Sequence, residues 1–405
     1  MKKTICIVGT FDTKGHEYQY VKSLIEERGV RTYTIHTGVF EPVFTPDVSN
    51  ADVASAAGVD IKDIAERKDR AWATEVLSKG MEVLLPKLYE QGKFDGVISL
   101  GGSGGTSLVT PGMRALPLGV PKVMVSTVAS GNTAPYIGIS DLIMIPSVVD
   151  VAGLNVITTR IISNAVFAIV GMVTSEYKAP TETKPLVAAT MFGVTTPCVT
   201  QAQKYLEDRG YEVLVFHATG VGGTLMESLI DKGYFKGVLD ITTTEWCDEV
   251  VGGVFAAGPN RSEAASRNKI PQVVSVGALD MVNYGAYDTV PDKFAGRNLY
   301  KHNPTITLMR TSVEENREIG KRISEKLNMA DGDTALLLPL GGVSSIDVPG
   351  GPFYGPDENA ELYKTLKENV GSQVEVFEFN CNINDQEFAE FAAQKLIDMM
   401  ESKKS

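Results

Sequence analysis

The segment Lys3–Gly38, KTICIVGTFDTKGHEYQYVKSLIEERGVRTYTIHTG, has a counterpart in the second half of the chain, Lys184–Gly220, KPLVAATMFGVTTPCVTQAQKYLEDRGYEVLVFHATG. Each copy opens on a short apolar run and passes through a polar loop into a helical period. Each then ends on a second apolar run closed by His-Thr-Gly or His-Ala-Thr-Gly. In the first copy Tyr18, Val21, Leu24 and Ile25 carry the helical spacing, which stops at Gly29. The units that follow match as well: YEQGKFDGVISLGG stands beside IDKGYFKGVLDITT. One such pair is a weak sign, because every chain of alternating strands and helices repeats this hydropathy. Two pairs in the same order point to two similar domains. A β-loop-α-β order makes the two strands parallel, with the helix crossing over them. The expected fold class is therefore α/β: two similar Rossmann-like domains, each a mostly parallel sheet flanked by helices.

Between the copies lies TSEYKAPTETKP, polar and proline-bearing, which reads as a linker. It puts the boundary near residues 176–184, with a first domain over 1–180 and a second over 185–405. A length of 405 residues, 43% of them hydrophobic, suits two ordinary globular domains. The net charge is −12, and Lys and Arg are interleaved with acids, as in IEERG and ISEKLN. No nucleic-acid partner is expected, since such a surface needs a concentrated basic patch. The opening MKKTICIVGT has too few apolar residues for a signal peptide. No apolar run approaches the roughly 18 residues of a membrane span. The most apolar stretch, NAVFAIVGMV, reads as a buried helix. Cys6, Cys198, Cys247 and Cys381 lack the C-x-x-C spacing of metal ligands, so reduced thiols and a cytoplasmic location are expected.

In an open parallel sheet, ligands sit beyond the carboxyl ends of the strands, so the loops there carry the chemistry. The two copies differ most in these loops. After its first strand the front copy has GTFDTKGHE, with Asp12, Thr13 and Lys14; the rear copy has MFGVTTPCV, without charge. After its later strand the front copy has GGSGGTS, Gly101–Ser107, where the rear copy has TTTEWCDE. Glycines let successive backbone N–H groups turn toward one point and let a ligand approach without meeting a Cβ. The residues that follow can begin a helix, whose first N–H groups favour anions. Ser103, Thr106 and Ser107 add hydroxyl donors, and Lys14 would supply positive charge. Asp12 would receive a ribose hydroxyl or hold Mg²⁺ through water. Neither the Walker loop nor the dinucleotide fingerprint is matched, so the cradle, Gly102-Ser103-Gly104-Gly105, specifies an anion and not which one. The competing reading is a glycine-rich hinge or turn. A third loop, STVASGNTAPY, again ends a strand in small and hydroxyl residues, among them Gly131, Asn132 and Thr133. Asp141 and Asp150 lie beyond it as candidate metal ligands, or as turn caps.

At GTFDTKGHE, DRAWA, GGSGGTSL, PKVMVSTVASGNTAPYIGISDL and PSVVDVAGLN the chain resembles an ATP-binding family named after a plant protein of tomato mosaic virus resistance, over nearly its whole length. The resemblance implies two Rossmann-like domains, a tendency to dimerise, and ATP in the N-terminal domain. By motif it places nucleotide contacts on Asp12-Thr13-Lys14, on Thr37 or Gly38, on Arg70, and on Gly102-Ser103-Gly104-Gly105. The loop IHTGVFEP departs from the plant pattern. The resemblance also implies that plant and some fungal relatives continue into a TIM-barrel-like domain, which is not expected after MMESKKS. Physical sense agrees with the carried-over residues. Arg70 lies on a helix, where its fork can clasp phosphate oxygens, and Thr37 and Gly38 close the second strand.

The rear domain keeps polar loops of its own. Glu245, Cys247, His302, Asp347, Asn384 and Asp385 all fall near the ends of expected strands. Glu245, Cys247 and His302 are the candidate catalytic residues, with Cys247 as nucleophile and His302 as its base. Each has a structural alternative: a hydrogen-bonded loop histidine, a core cysteine beside Trp246, an acid that shapes a turn. Two functions follow. One is an ATP-binding protein, ATP arriving with Mg²⁺ and a homodimer being formed. The other is an ATP-dependent or hydrolytic enzyme acting on a small acidic or carbonyl metabolite in an interdomain cleft. A dinucleotide oxidoreductase ranks last, because TIHTG carries no acid at the end of the second strand.

Overall fold

The structure is a computed structural model describing residues 2–178 and 183–402. The chain divides into two compact units, residues 1–179 and 180–405. The expected linker is described only at its two ends, and its residues 179–182 lie outside the described residues.

The first unit alternates strand and helix except for three successive helices between its second and third strands: β1 (Thr4–Gly9), α1 (Gly15–Glu27), β2 (Arg31–His36), α2 (Asn50–Ala56), α3 (Ile61–Arg67), α4 (Arg70–Glu90), β3 (Gly96–Gly101), α5 (Ser103–Ala115), β4 (Lys122–Ser126), α6 (Ala134–Ile137), β5 (Ile143–Pro146) and α7 (Val156–Thr174). Its five strands are all parallel, in the order β2-β1-β3-β4-β5. Strands buried on both faces read as continuous apolar runs, and β1 and β3 are buried at every position. Alternation still sorts their side chains by face. Cys6, Val8, Val97 and Met124 pack under α4 and α5, against Leu77, Met81, Val109 and Met113. Ile5, Ile7, Ile98, Leu100 and Val123 face α1 and α7, against Val21, Ile25, Ile162 and Ile169.

NAVFAIVGMV forms the heart of α7, a helix as expected, yet buried along one face only. Ile162, Ala165, Val166, Ile169 and Val173 are inside, while Phe167 is 43% and Val156 86% exposed. The full helix has 19 residues, so by length and composition it could cross a membrane, contrary to the expectation that no such run exists. A core helix passes the same test.

The second unit comprises β6 (Leu186–Met191), α8 (Thr196–Glu207), β7 (Glu212–His217), α9 (Val221–Asp231), β8 (Gly237–Thr242), α10 (Glu245–Val251), α11 (Ala264–Arg267), β9 (Gln272–Gly277), β10 (Met281–Tyr284), β11 (Leu299–Asn303), β12 (Ile306–Arg310), α12 (Val313–Leu327), β13 (Thr334–Pro339), α13 (Pro356–Asn369), β14 (Val374–Phe379) and α14 (Gln386–Ser402). Its main sheet is parallel, in the order β14-β13-β9-β8-β6-β7. Read from its other edge, β7-β6-β8-β9 repeats β2-β1-β3-β4 of the first unit, as the duplicated sequence implies. The departure is a small antiparallel sheet, β10-β12-β11, inserted between β9 and β13.

Candidate functional site

The order β2-β1-β3 contains a reversal. From β1 the chain passes to one side of the sheet, and from β3 it passes to the other, so a crevice opens between their carboxyl ends. The loops GTFDTKG and GGSGGTS border this crevice, and α1 and α5 start there on opposite faces of the sheet. Of the first unit's long helices, α4 is capped by the Asp69 side chain and α7 by Asn155. Neither α1, preceded by Lys14, nor α5, preceded by Gly102, has a side-chain cap. The first N–H groups of α5, from Ser103, Gly104 and Gly105, therefore face the crevice with no side chain to receive them. Such a terminus attracts anions.

Two further features, Arg70 and the loop after β4, converge on that terminus. A Cβ built on Gly104 would lie 3.2 Å from an Arg70 guanidinium nitrogen, so the exposed Arg70 stands over the cradle from the start of α4. A Cβ on Gly102 would lie 3.7 Å from the Thr127 hydroxyl. The loop after β4 is fastened to α5 where Thr106 Oγ1 meets Ser126 Oγ at 2.6 Å and the Val128 N–H donates to Ser126 Oγ at 3.2 Å. The Lys14 ammonium donates to the Val151 carbonyl, in the segment after β5. That segment is also held by the Gly153 N–H, which donates to buried Glu17 at 2.6 Å.

Across the crevice, Asp12 lies against Gly38, where any Cβ would collide with its carboxylate. Asp12 Oδ2 accepts from the Phe40 N–H at 3.1 Å. The Thr37 N–H donates to the Gly9 carbonyl at 2.9 Å and ties the end of β2 to β1. Thr13 turns away and bonds Thr10 at 2.9 Å. Of the third loop, Gly131 and Asn132 are exposed and Thr133 half-buried; Asn132 Oδ1 accepts from the Ala134 N–H at 3.1 Å, and the four-residue α6 offers no helix terminus worth the name.

Sequence reasoning missed His36. It is fully buried, and its Nδ1 accepts from the N–H groups of Phe11 at 3.1 Å and Gly38 at 3.3 Å. That assigns the proton to Nε2, which donates to the Phe40 carbonyl at 2.8 Å. One imidazole thus joins the loop after β1 to the loop after β2. The only hint in the sequence was a histidine closing the second strand of both copies, and His217 in the rear copy is exposed.

Both candidate metal ligands lie elsewhere. Asp141 accepts from buried Lys122 at 2.6 Å and from the Gly119 N–H at 2.7 Å. Burial works against its ionised form, but these bonds outweigh burial and hold the carboxyl below the usual range. Asp150 is exposed. No group of three or more His, Cys, Asp or Glu side chains able to hold a metal occurs among the described residues.

In the second unit the expected catalytic residues are not assembled. Cys247 is fully buried beside Trp246; its thiol donates to the Leu279 carbonyl at 3.4 Å, and burial pushes it well up from the ordinary thiol range. No hydrogen bond joins it to His302, which lies exposed on β11, an edge strand of the small sheet. Lys301 and His302 there do what polar residues do on edges, discouraging pairing with another chain. Glu245 is buried in an ion pair with Arg261 at 2.6 Å. Asp347 is likewise consumed, receiving the Val343 N–H at 2.9 Å and Asn359 at 2.7 Å. Asn384 accepts from the Cys198 N–H at 3.3 Å, and Asp385 from the Asn382 N–H at 2.8 Å. Two cavities open in this unit, of about 230 and 260 Å³, beside Trp246 and beside Tyr354. Both are smaller than the usual ligand pocket of roughly 300–1,000 Å³.

Asp280, at the carboxyl end of β9, also escaped sequence reading. It is fully buried, accepts from Ser344 at 2.7 Å, and keeps Oδ1 without a partner. Burial pushes it up to about 7, with Arg310 opposing. Its folded value exceeds an unfolded value of about 3.9, so the stability it allows is complete below pH ~4 and is lost as pH rises toward 7. Asp248, also pushed to about 7 by burial, acts in the same sense. Asp280→Asn should flatten, without abolishing, the fall in urea midpoint between pH 4 and 7. An unchanged slope would mean that Asp280 does not titrate there.

Models of an uncharacterised protein family, UPF0261, match this chain in two pieces: the N-terminal domain at residues 3–178 and the C-terminal domain at residues 184–400. A UPF0261 protein of Clostridium tetani is 56% identical over 403 residues, 99% of this chain and 100% of that protein. One from Rhizobium meliloti is 45% identical, over 96% of this chain and 97% of its own length. The ToMV resistance protein Tm-1(GCR237) of Solanum lycopersicum is 43% identical over 96% of this chain, which spans 54% of that longer protein. Among solved structures, MurG of Acinetobacter baumannii is 12% identical over 99% of this chain and 94% of its own, with a TM-score of 0.21, a likeness too slight to build on.

Proposed function

The chain belongs to the UPF0261 family, and from that premise we propose that its N-terminal unit is an ATP-binding module. The observation that carries the reading is the start of α5. It has no side-chain cap and is built of glycines at the sheet's switch point, with Arg70 over Gly104. Phosphates would lie against the N–H groups of Ser103, Gly104 and Gly105, clasped by Arg70 and by Lys14 once it leaves the Val151 carbonyl. The nucleoside would extend toward Asp12, Thr37 and Gly38. Mg²⁺ would travel on the triphosphate, which suits a site offering one or two carboxylates and no cage. The enzymatic alternative has less support: Glu245 and Cys247 are bonded inside the second unit, and His302 stands apart on β11.

Calorimetric titration with ATP and Mg²⁺ tests the reading. Lys14→Ala should weaken binding by about 1.5–3 kcal/mol, the worth of a hydrogen bond to a charged group. Its thermal midpoint should barely move, because a half-buried lysine on a loop carbonyl contributes little to the core. No heat from the wild-type chain, or an affinity indifferent to Lys14, would defeat the proposal. Light scattering on the same sample reads the homodimer that accompanies it.

A further inference from the structure

We infer that Asp12 and Thr37 form a receptor for the vicinal hydroxyls of a ribose, so that the site selects ribonucleotides over deoxyribonucleotides. This rests on the nucleotide reading above and adds a specificity to it. Among the described residues of the N-terminal unit, two buried side-chain polar atoms lack any hydrogen-bond partner: Asp12 Oδ1 and Thr37 Oγ1. Thr37 is completely buried. A buried polar atom left unpaired is costly and rare in native proteins, and each instance calls for a reason. These two have a common address. Both border Gly38, Thr37 as its chain neighbour and Asp12 through its carboxylate against the glycine Cα.

The address is informative. In dinucleotide-binding sheets the ribose hydroxyls are received by an acid at the end of the second strand. Here TIHTG has no acid at that place, but Asp12 reaches it from the loop after β1. The chemistry is complementary as well. An ionised carboxylate oxygen only accepts, while a threonine hydroxyl both donates and accepts, which suits two adjacent sugar hydroxyls. The segment that follows Gly38 borders Asp12. That segment is fastened through Phe40, whose N–H bonds Asp12 and whose carbonyl accepts from His36, while the Phe40 side chain is 67% exposed. Displacing Phe40 would free the second Asp12 oxygen.

The test compares ATP, 2′-deoxy-ATP and 3′-deoxy-ATP by calorimetry on the full chain and on Asp12→Asn and Thr37→Val, with thermal unfolding to verify that each variant folds. The wild type should prefer ATP over each deoxy compound by about ten-fold or more. Thr37→Val, which keeps the shape and loses the hydroxyl, should draw that ratio toward one by weakening ATP and sparing the deoxy compounds; Asp12→Asn should do the same. If ATP binds and both deoxy compounds bind equally well, this inference fails while the nucleotide reading survives. A wild-type preference that persists in both variants would place the receptor elsewhere and overturn it. If no nucleotide binds, both ideas fall. The wild-type comparison remains decisive even should a variant misfold.

Discussion

Replacing Arg261 with methionine should cost the C-terminal unit about 3–5 kcal/mol, the usual penalty for breaking a buried ion pair from one side. Arg261 is 2% exposed and meets three acids. It grips Asp240 with two nitrogens, at 2.6 and 2.7 Å, reaches Glu245 through Nε at 2.6 Å, and lies 3.2 Å from Glu227. Burial alone would drive off its proton, yet these carboxylates hold it charged well above the ordinary range. Methionine fills the volume and leaves the acids facing one another. Damage would spread, because Glu245 also accepts from the N–H groups of Gly220 and Gly223 at the start of α9. Glu227 meanwhile holds the chain at Ser262 and Ala264. In urea the midpoint should fall sharply with an unchanged slope. Arg261→Lys should recover only part, since an ammonium cannot reproduce the two-pronged grip on Asp240 while reaching Glu245. A loss below about 1 kcal/mol for the methionine variant would mean that the four charges do not meet as drawn.

That network clarifies what the two units share. In the rear unit a glycine-bearing helix start, Gly220 to Gly223, is occupied by the chain's own carboxylate, and a Cβ on Gly223 would collide with Glu245. In the front unit the start of α5 has the same bareness and no internal carboxylate to fill it. The logic of glycine plus helix terminus was legible in GGSGGTS, because it depends on residues adjacent in sequence. Its rear-unit version was not, because Glu245 and Arg261 come from different elements. The parallel run of strands was equally legible wherever they are apolar and separated by helices, as from β1 to β4. The antiparallel insert β10-β12-β11 was not: its strands are four or five residues long and embedded among Gly, Pro and Asn, so they read as loop. His36 stayed hidden for a different reason. Its role lies in which ring nitrogen accepts, and that is set by three backbone groups which only the folded chain brings to it.

Gly104→Val should abolish ATP binding, with a loss of at least about 3 kcal/mol, while leaving stability nearly unchanged. The two halves of this expectation come from different physics. Gly104 is the second residue of α5 and is not among the glycines of positive φ, so a side chain meets no backbone strain there. Within a helix valine is a better former than glycine by a few tenths of a kcal/mol, so the fold has no reason to suffer. The ligand does. The new Cβ would sit 3.2 Å from the Arg70 guanidinium, and the two methyls beyond it would enter the space between Arg70 and the N–H groups that phosphate must reach. Anion binding at a helix terminus needs approach to hydrogen-bond distance, and a branched side chain denies it. Gly104→Ala should be milder, about ten-fold, because Arg70 is exposed and can yield by a few tenths of an ångström. Calorimetry for affinity and thermal unfolding for stability read the two halves separately. A valine variant that folds and still binds ATP with wild-type affinity would reduce the four glycines to a turn; one that fails to fold would show that the helix start, not the ligand, requires them.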